Sequence, residues 1–274
     1  MNWLQALVLG AVQGLTEFLP VSSDGHLKLF QAAMNVTGER PLLDVLMHVG
    51  TLAAVCIVFR KDIIELLKRP LQPLTLFLVV ATLPAVAAQL LFGDYIDGVL
   101  RYTTPISLAI GFFITSLLMY LTPLFKNGII PKERTGIFRS LLIGIAQVIA
   151  IHPSISRSGS TIFSGVATGM KREDVAHFSF LMSIPAILGG VVVEMWKIQK
   201  TGLAQVLEAT SLVSIIIAVA MAAVTGYLAL KIVIDTIKHG KLWVFGVYTT
   251  ALGLMILFDA NVTHFINWSV MSFS

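Results

Sequence analysis

The amino-acid sequence predicts an all-α, polytopic membrane protein of two inverted repeats, each built from one re-entrant helical hairpin and three transmembrane helices. Hydrophobic residues make up 56% of the 274 residues and charged residues only 12%, which is more apolar than a soluble domain normally is. Six apolar segments have the length needed to cross about 30 Å of hydrocarbon. Two further apolar stretches are interrupted by turn-forming and polar residues, which indicates helices that break inside the membrane.

The six predicted spans fall into two groups of three along the chain. They cover residues 42–59, 73–92, 105–125, 176–196, 207–230 and 242–260. One interrupted stretch precedes each group, at residues 2–36 and at residues 137–170. A broken helix at membrane depth is tolerated only where protein or a water-filled cavity covers the freed backbone, so each stretch is predicted to be a re-entrant helix, loop and helix.

An internal repeat supports this arrangement. Sliding the sequence by 134 residues superposes several identical residues of the two interrupted stretches and brings the later apolar segments into rough correspondence. The superposed pairs are Leu7 and Leu141, Gly10 and Gly144, Gln13 and Gln147, Ser22 and Ser156, and Gly25 and Gly159. The prediction is a single membrane domain over 1–274, with a first repeat over 1–130 and a second over 131–274. Three spans per repeat make the second repeat inverted.

The distribution of basic residues predicts the orientation. Thirteen of the 19 Lys and Arg residues fall on one side of this topology, which includes the loops 60–72 and 126–136, and five fall on the other. Excess positive charge marks the cytoplasmic side, so both termini are predicted to face outward. The same topology explains the net charge of +4 without a nucleic-acid partner.

The chemistry is predicted to lie in the two hairpins. An ionisable group buried in a membrane is costly, so Glu17, Asp24, His26 and Arg157 are functional candidates. Each loop ends in serines and glycine where a short helix begins, and backbone N–H groups at such a helix start bind anions. A guanidinium that grips oxygens in a bidentate fork favours a phosphate or pyrophosphate ligand. A serine hydroxyl, an imidazole and a carboxylate nearby indicate hydrolysis.

Some alternatives remain open from the residues alone. Ser22 and Ser23 could cap the helix that follows them instead of reacting. His48 and His152 are predicted to lie near the cavity between the two hairpins, and no role is assigned to them. Asp44 is an alternative to Asp24 as a second carboxylate for a metal.

Two motifs carry a resemblance to a known family. The stretch Gln13–His26, QGLTEFLPVSSDGH, and the stretch Ser156–Gly159, SRSG, resemble those of the undecaprenyl-pyrophosphate phosphatase (bacitracin-resistance) family. The resemblance implies a bacterial plasma (inner) membrane enzyme that hydrolyses undecaprenyl pyrophosphate, a polyprenyl pyrophosphate lipid, at the outer leaflet. The products are inorganic phosphate and the monophosphate carrier used in cell-wall synthesis. It also implies a divalent metal, Mg²⁺ or Ca²⁺, and leaves a homodimer open.

The resemblance also assigns roles to residues. Glu17 becomes a catalytic or metal-binding carboxylate, Ser23 the nucleophile, His26 its acid–base partner and Arg157 the phosphate clamp. Asp24 departs from the family pattern, and its own carboxylate is expected to join Glu17 as a metal ligand. Residues of both hairpins are expected to bind the substrate: Gln13, Ser22, Ser156, Ser158, Gly159 and Thr161.

Three residues depart from the family pattern. Gln13 stands where some members have a glutamate, Asp24 where the pattern has Ser or Thr, and Ser154 where it has Gly. A carboxylate beside Ser23 adds negative charge where an anionic diphosphate should lie. Asp24 is therefore expected to bind metal, to cap the following helix or to alter the activity.

The alternative function is a transporter. Inverted repeats with broken helices that meet at the midplane also form the substrate sites of secondary transporters, so a flippase for a polyprenyl phosphate would use the same hairpins. A flippase needs the anion site but no nucleophile, so replacement of Ser23 separates the two functions. A purely structural membrane protein does not explain two polar hairpins in otherwise apolar sequence.

Overall fold

The computed structural model describes residues 1–36, 41–96, 98, 103–201 and 211–269, and the predicted all-α fold is confirmed within them. These residues form eleven α-helices, with bounds as follows: α1 Trp3–Phe18, α2 Ser23–Ala33, α3 Pro41–Val58, α4 Arg60–Lys68, α5 Pro73–Tyr95, α6 Pro105–Leu121, α7 Ile137–Ile149, α8 Arg157–Ala167, α9 Arg172–Thr201, α10 Leu212–Lys238 and α11 Trp243–Phe258. Short 3₁₀ turns lie at Thr122–Leu124 and Lys132–Arg134, and a π turn at Asp259–Thr263.

Five of the described helices, namely α5, α6, α9, α10 and α11, are long and apolar enough to cross a membrane, and α3 is a sixth if it counts as one span with α4. The six predicted spans correspond to these helices in order. The start of the fifth is the exception, because α10 begins at Leu212 and the predicted residues 207–210 lie outside the described residues. The chain is therefore a multi-pass membrane protein.

The bend between α3 and α4 was not predicted. The two helices make an angle of 81°. The chain turns where apolar sequence gives way to Arg60, Lys61 and Asp62, whose charges are costly in hydrocarbon. Lys132 Nζ donates to Asp62 Oδ1 at 2.5 Å, which ties α4 to the loop before α7.

The first interrupted stretch folds as α1, a turn and α2. Pro20 disfavours a helical conformation at the residue before it, and Leu19 is extended, so α1 ends at Phe18. Ser22 then caps α2 by accepting a hydrogen bond from the Gly25 N–H at 3.3 Å.

The second interrupted stretch folds in the same way, as α7, a turn that contains Pro153, and α8. Ser156 caps α8 by accepting a hydrogen bond from the Gly159 N–H at 3.0 Å. Ser156 and Gly159 are the partners of Ser22 and Gly25 under the 134-residue shift, so the two helix starts are built alike.

Glycine allows α1 to pack directly on α10. A Cβ at Gly10 would lie 2.2 Å from the Ala218 carbonyl oxygen, and one at Gly14 would lie 2.4 Å from the Ala222 carbonyl oxygen. Small residues four apart on both helices thus bring the backbones together, as is common between membrane helices. This contact holds α1, and the turn that follows it, against the second half of the chain.

Candidate active site

The turn after α1 contacts the turn after α7, although the contacting residues Ser22 and Pro153 are 131 residues apart in the sequence. The Ser22 hydroxyl donates to the Pro153 carbonyl oxygen, and the Ser158 hydroxyl donates to the Leu19 carbonyl oxygen at 3.1 Å. The N-terminal ends of α2 and α8 therefore lie side by side, at the junction of the two hairpins. Both helices direct the positive end of their dipoles there, which favours an anion.

Glu17 lies at the junction of the two hairpins, near the end of α1, and is only 6% exposed. Its Oε2 accepts hydrogen bonds from the Ser23 hydroxyl at 2.7 Å and from Gln13 Nε2 at 3.0 Å. Its Oε1 accepts from Arg157 Nη2 at 2.5 Å. The carboxylate thus joins a hydroxyl at the start of α2 to a guanidinium at the start of α8, and a charge-assisted contact of this kind is among the stronger hydrogen bonds.

His48 and Asp24 lie beside this cluster. His48 Nε2 is 3.6 Å from Glu17 Oε2 and 3.8 Å from Asp24 Oδ1, so the imidazole stands between two carboxylates. Its other ring nitrogen lies 2.7 Å from the Asp44 carbonyl oxygen, one turn earlier on α3. Because a carbonyl oxygen only accepts, Nδ1 carries a proton there. The Asp24 side chain is 57% exposed, which places its charge at the mouth of the site.

His26 follows Ser23 by one helical turn but is directed elsewhere. Its Nδ1 lies 2.6 Å from the Ser22 carbonyl oxygen, and its Nε2 lies 2.7 Å from the hydroxyl of Tyr248 on α11. His26 is 2% exposed. Both ring nitrogens therefore have partners other than Ser23, whose hydroxyl is bonded to Glu17.

Three further hydroxyls of the second hairpin, those of Ser156, Ser158 and Thr161, bond to protein groups. Ser156 and Ser158 share a hydrogen bond at 3.1 Å, and the Thr161 hydroxyl lies 2.7 Å from that of Ser179 on α9. Gly159 is buried, with its N–H on the Ser156 hydroxyl. These contacts lie within the second hairpin or join it to α9, and a role of these residues and of Gln13 and Ser22 in substrate binding stays a prediction.

Comparison with known proteins decides the family. The model of the family described as Bacitracin resistance protein BacA matches residues 6–255. The chain belongs to this family. It is 39% identical over 257 residues to Undecaprenyl-diphosphatase 3 of Bacillus cereus, which covers 94% of this chain and 97% of that relative. It is 39% identical over 259 residues to Undecaprenyl-diphosphatase of Carboxydothermus hydrogenoformans, with the same coverage, and 35% identical over 264 residues to that of Halothermothrix orenii, which covers 96% and 100%. The resemblance found in the two motifs is confirmed.

One departure of this family member from the common pattern has a structural explanation. Ser154, which replaces a glycine, contacts the Ser107 carbonyl oxygen at 3.3 Å and His152 Nδ1 at 3.0 Å. A Cβ at Gly111 would lie 1.8 Å from the Ser154 hydroxyl, so the serine fits because α6 has no side chain at that point. The extra hydroxyl is thus accommodated inside the second turn.

Oxygen atoms around Glu17 suit a hard cation. Within the described ranges no group of three or more His, Cys, Asp or Glu side chains has the spacing of a metal site. A hydrated Mg²⁺ needs only one or two protein carboxylates together with substrate phosphates and waters, and Glu17 and Asp24 flank one imidazole. Gln13 Oε1, on the amide that binds Glu17, is buried and has no hydrogen-bond partner among the described residues. Carboxylate oxygens are the ligand type that Mg²⁺ prefers, and metal binding by Glu17 and Asp24 stays a prediction.

Sequence reasoning gave no role to His48 and did not single out Tyr248. His48 and Asp44 are four apart on α3, and that spacing could have indicated one polar face directed at the hairpin. Tyr248 lies 222 residues from His26 in an apolar span, so nothing local in the sequence signals the contact.

Proposed function

We propose that this protein removes the terminal phosphate of undecaprenyl pyrophosphate in the bacterial plasma membrane, which releases inorganic phosphate and the monophosphate carrier lipid. The relatives named undecaprenyl-diphosphatase support the substrate and the reaction. The observation that carries the proposal is the cluster in which Glu17 accepts a hydrogen bond from the Ser23 hydroxyl on one oxygen and pairs with Arg157 on the other. Turnover of this lipid is the activity that would confer bacitracin resistance.

In the proposed reaction Ser23 attacks the terminal phosphorus of the pyrophosphate while its proton passes to Glu17 Oε2, 2.7 Å away. The bond from that phosphorus to the bridging oxygen breaks, and its electron pair leaves with the lipid monophosphate. Water then attacks the phosphoserine. Ser23 departs and recovers the proton from Glu17, and both hydrogens of the water stay on the inorganic phosphate.

Arg157 and the two helix starts supply positive charge where the reaction concentrates negative charge. The Arg157 side chain is 23% exposed and Glu17 is buried, so the guanidinium reaches from the buried carboxylate toward the open side of the cluster. A fixed guanidinium and oriented N–H groups stabilise a phosphoryl-transfer transition state without reorganisation. Glu17 and Asp24 would hold the divalent metal, Mg²⁺ or Ca²⁺, which when bound neutralises charge on the phosphate oxygens.

One assay tests the reaction, the substrate and the metal together. The protein purified in detergent is expected to release phosphate from a C55 pyrophosphate, to lose that activity when a chelator is added and to regain it with Mg²⁺ or Ca²⁺. The monophosphate is the matched control and should release none. No release from the pyrophosphate at any metal concentration would contradict the proposed function, and unchanged release with chelator would contradict the metal.

The inverted-repeat architecture belongs to the same proposal. Equivalent helices of the two halves pack on each other, α3 on α9 and α6 on α11, while α1 packs on α10 and its counterpart α7 packs on α5. A Cβ at Gly10 would contact Ala218, and one at the equivalent Gly144 would contact Pro84, which is equivalent to Ala218 under the 134-residue shift. This reciprocity supports two repeats related by a pseudo-twofold axis, with both hairpins re-entrant.

The orientation is tested by cysteine labelling. On a Cys56→Ala background, Phe265→Cys should react with an impermeant thiol reagent in right-side-out vesicles, because the C-terminus is proposed to face outward. Ile129→Cys, in the basic loop 126–136, should react only after permeabilisation. Both side chains are well exposed, at 87% and 84%, so accessibility to the reagent does not differ for local reasons. Labelling of Ile129→Cys in sealed vesicles would refute the assignment.

A further inference from the structure

His26 is held at both ring nitrogens by groups that are not part of the Ser23–Glu17–Arg157 cluster. Nδ1 contacts the Ser22 carbonyl oxygen at 2.6 Å, and Nε2 contacts the Tyr248 hydroxyl at 2.7 Å. The rings of His26 and Tyr248 stack with centroids 5.6 Å apart and an angle of 11°, and Phe112 meets His26 edge-on at 5.4 Å. These contacts determine the position and the rotation of the imidazole.

The partners also determine the tautomer. A carbonyl oxygen cannot donate, so the proton lies on Nδ1, and the lone pair of the neutral ring on Nε2 accepts from the Tyr248 hydroxyl. With both nitrogens engaged in this way, His26 has no acceptor directed at Ser23. Transfer of the Ser23 proton to His26 would require the ring to leave Tyr248 and Phe112.

The carbonyl that His26 holds belongs to a strained residue. Ser22 has φ of 70° and ψ of 105°, which is unfavourable for any residue with a side chain. Such a conformation persists only where its surroundings over-determine it, and it is common at functional sites. Here the Ser22 hydroxyl is bonded to Pro153 and Gly25, and the Ser22 carbonyl to His26.

The strained peptide leads directly into Ser23. A change in the Ser22 dihedral angles would rotate the start of α2 and move the Ser23 hydroxyl away from Glu17 Oε2. We propose that Tyr248 and His26 form a positioning pair: through the Ser22 carbonyl they hold the backbone that aims Ser23 at Glu17. This inference rests on the proposed phosphatase function. It assigns to Tyr248, on α11, a role in the reaction that the two motifs do not contain.

Tyr248→Phe is the first test, because it removes only the hydroxyl and keeps the stacked ring. We expect kcat for the C55 pyrophosphate to fall about tenfold and KM to stay within about twofold, since the substrate contacts remain while the nucleophile is less well aimed. Tyr120→Phe is the matched control. The Tyr120 hydroxyl, on α6, lies 3.4 Å from the Thr250 hydroxyl on α11. Loss of the Tyr120 hydroxyl should leave kcat unchanged.

His26→Asn and His26→Ala form the second test. The asparagine amide keeps an N–H donor near the position of Nδ1 but cannot take up a proton at neutral pH, so it should recover at least about a tenth of the native kcat with an unchanged pH profile. His26→Ala should lose at least about a hundredfold. Thermal unfolding in detergent checks that each variant is folded.

The outcomes separate the inference from the function it rests on. A wild-type protein that releases no phosphate refutes the phosphatase function. An active wild-type protein whose Tyr248→Phe variant matches Tyr120→Phe, or whose His26→Asn variant is as inactive as His26→Ala, refutes the positioning pair. Loss of one limb of the kcat pH profile in His26→Asn would also refute it, because that result makes His26 a proton-transfer group.

Discussion

Ser23→Ala and Glu17→Gln are each expected to lower kcat at least about a hundredfold, and the double variant should be little worse than the more damaged single variant. The 2.7 Å hydrogen bond between the Ser23 hydroxyl and Glu17 Oε2 means that both residues serve one proton transfer. Removal of either residue stops that transfer, so removal of the second residue should lower kcat little further. Independent binding roles would instead give multiplied losses.

Two measurements make this test specific. Acid quenching during turnover should trap a phosphoserine in the native protein, and the trapped species should disappear in Ser23→Ala. Ser164→Ala, on the later part of α8 in the second hairpin, is the control for loss of a serine hydroxyl away from the Ser23–Glu17 contact and should keep native turnover. Full activity of Ser23→Ala would contradict the covalent step and would leave a water molecule as the nucleophile.

Those parts of the fold that depend on local chemistry were predictable from the sequence. Span lengths follow from the thickness of the bilayer, and the end of α1 follows from Pro20. Serine caps at Ser22 and Ser156 follow from the side-chain oxygen that each offers to a free N–H. The internal repeat superposes these two serines, and the structure shows that both caps are built alike.

Features that depend on contacts between distant segments were not predictable in the same way. The three-residue spacing of Ser23 and His26 suggests neighbours on one helix face, whereas the imidazole turns to Tyr248 on α11. The direction of a hydroxyl is likewise not set by composition: Ser158 and Thr161 bond to Leu19 and Ser179. Motif matching identified the residue types at the site, and tertiary packing decided which atoms meet.

The position of Asp24 in the structure changes the expected effect of its charge. From the sequence, its charge beside Ser23 appeared unfavourable for an anionic substrate. In the structure its carboxylate is 57% exposed and lies 3.8 Å from His48 Nε2, while Ser23 bonds to Glu17. A neighbouring imidazole that carries a second proton would offset the Asp24 charge, and a cation held there would do the same. The departure is therefore compatible with the proposed chemistry.

Arg157→Lys is expected to lower kcat/KM for the C55 pyrophosphate at least about a hundredfold although it keeps the positive charge. Arg157 Nη2 reaches Glu17 Oε1 at 2.5 Å across 140 residues of sequence, and the planar guanidinium has further N–H donors for phosphate oxygens. A lysine ammonium is a point charge on a flexible stem, so it cannot bind a carboxylate and a phosphate in one fixed plane. Arg157→Ala should be at least as damaging, because it also leaves the buried Glu17 without its cation.

Arg139→Lys is the matched control for this substitution. Arg139 lies in the same hairpin and also donates from a guanidinium, with Nε to the Thr168 carbonyl at 3.0 Å and Nη1 to the Thr135 carbonyl at 3.3 Å, but those partners are structural. Its conversion to lysine should lower the unfolding temperature in detergent more than it lowers kcat/KM. Arg157→Lys should do the reverse and should also weaken inhibition by inorganic phosphate. If the two lysine variants lose activity to the same extent, with equal losses of thermal stability, the clamp role of Arg157 is wrong and its pair with Glu17 serves only to join α1 to α8.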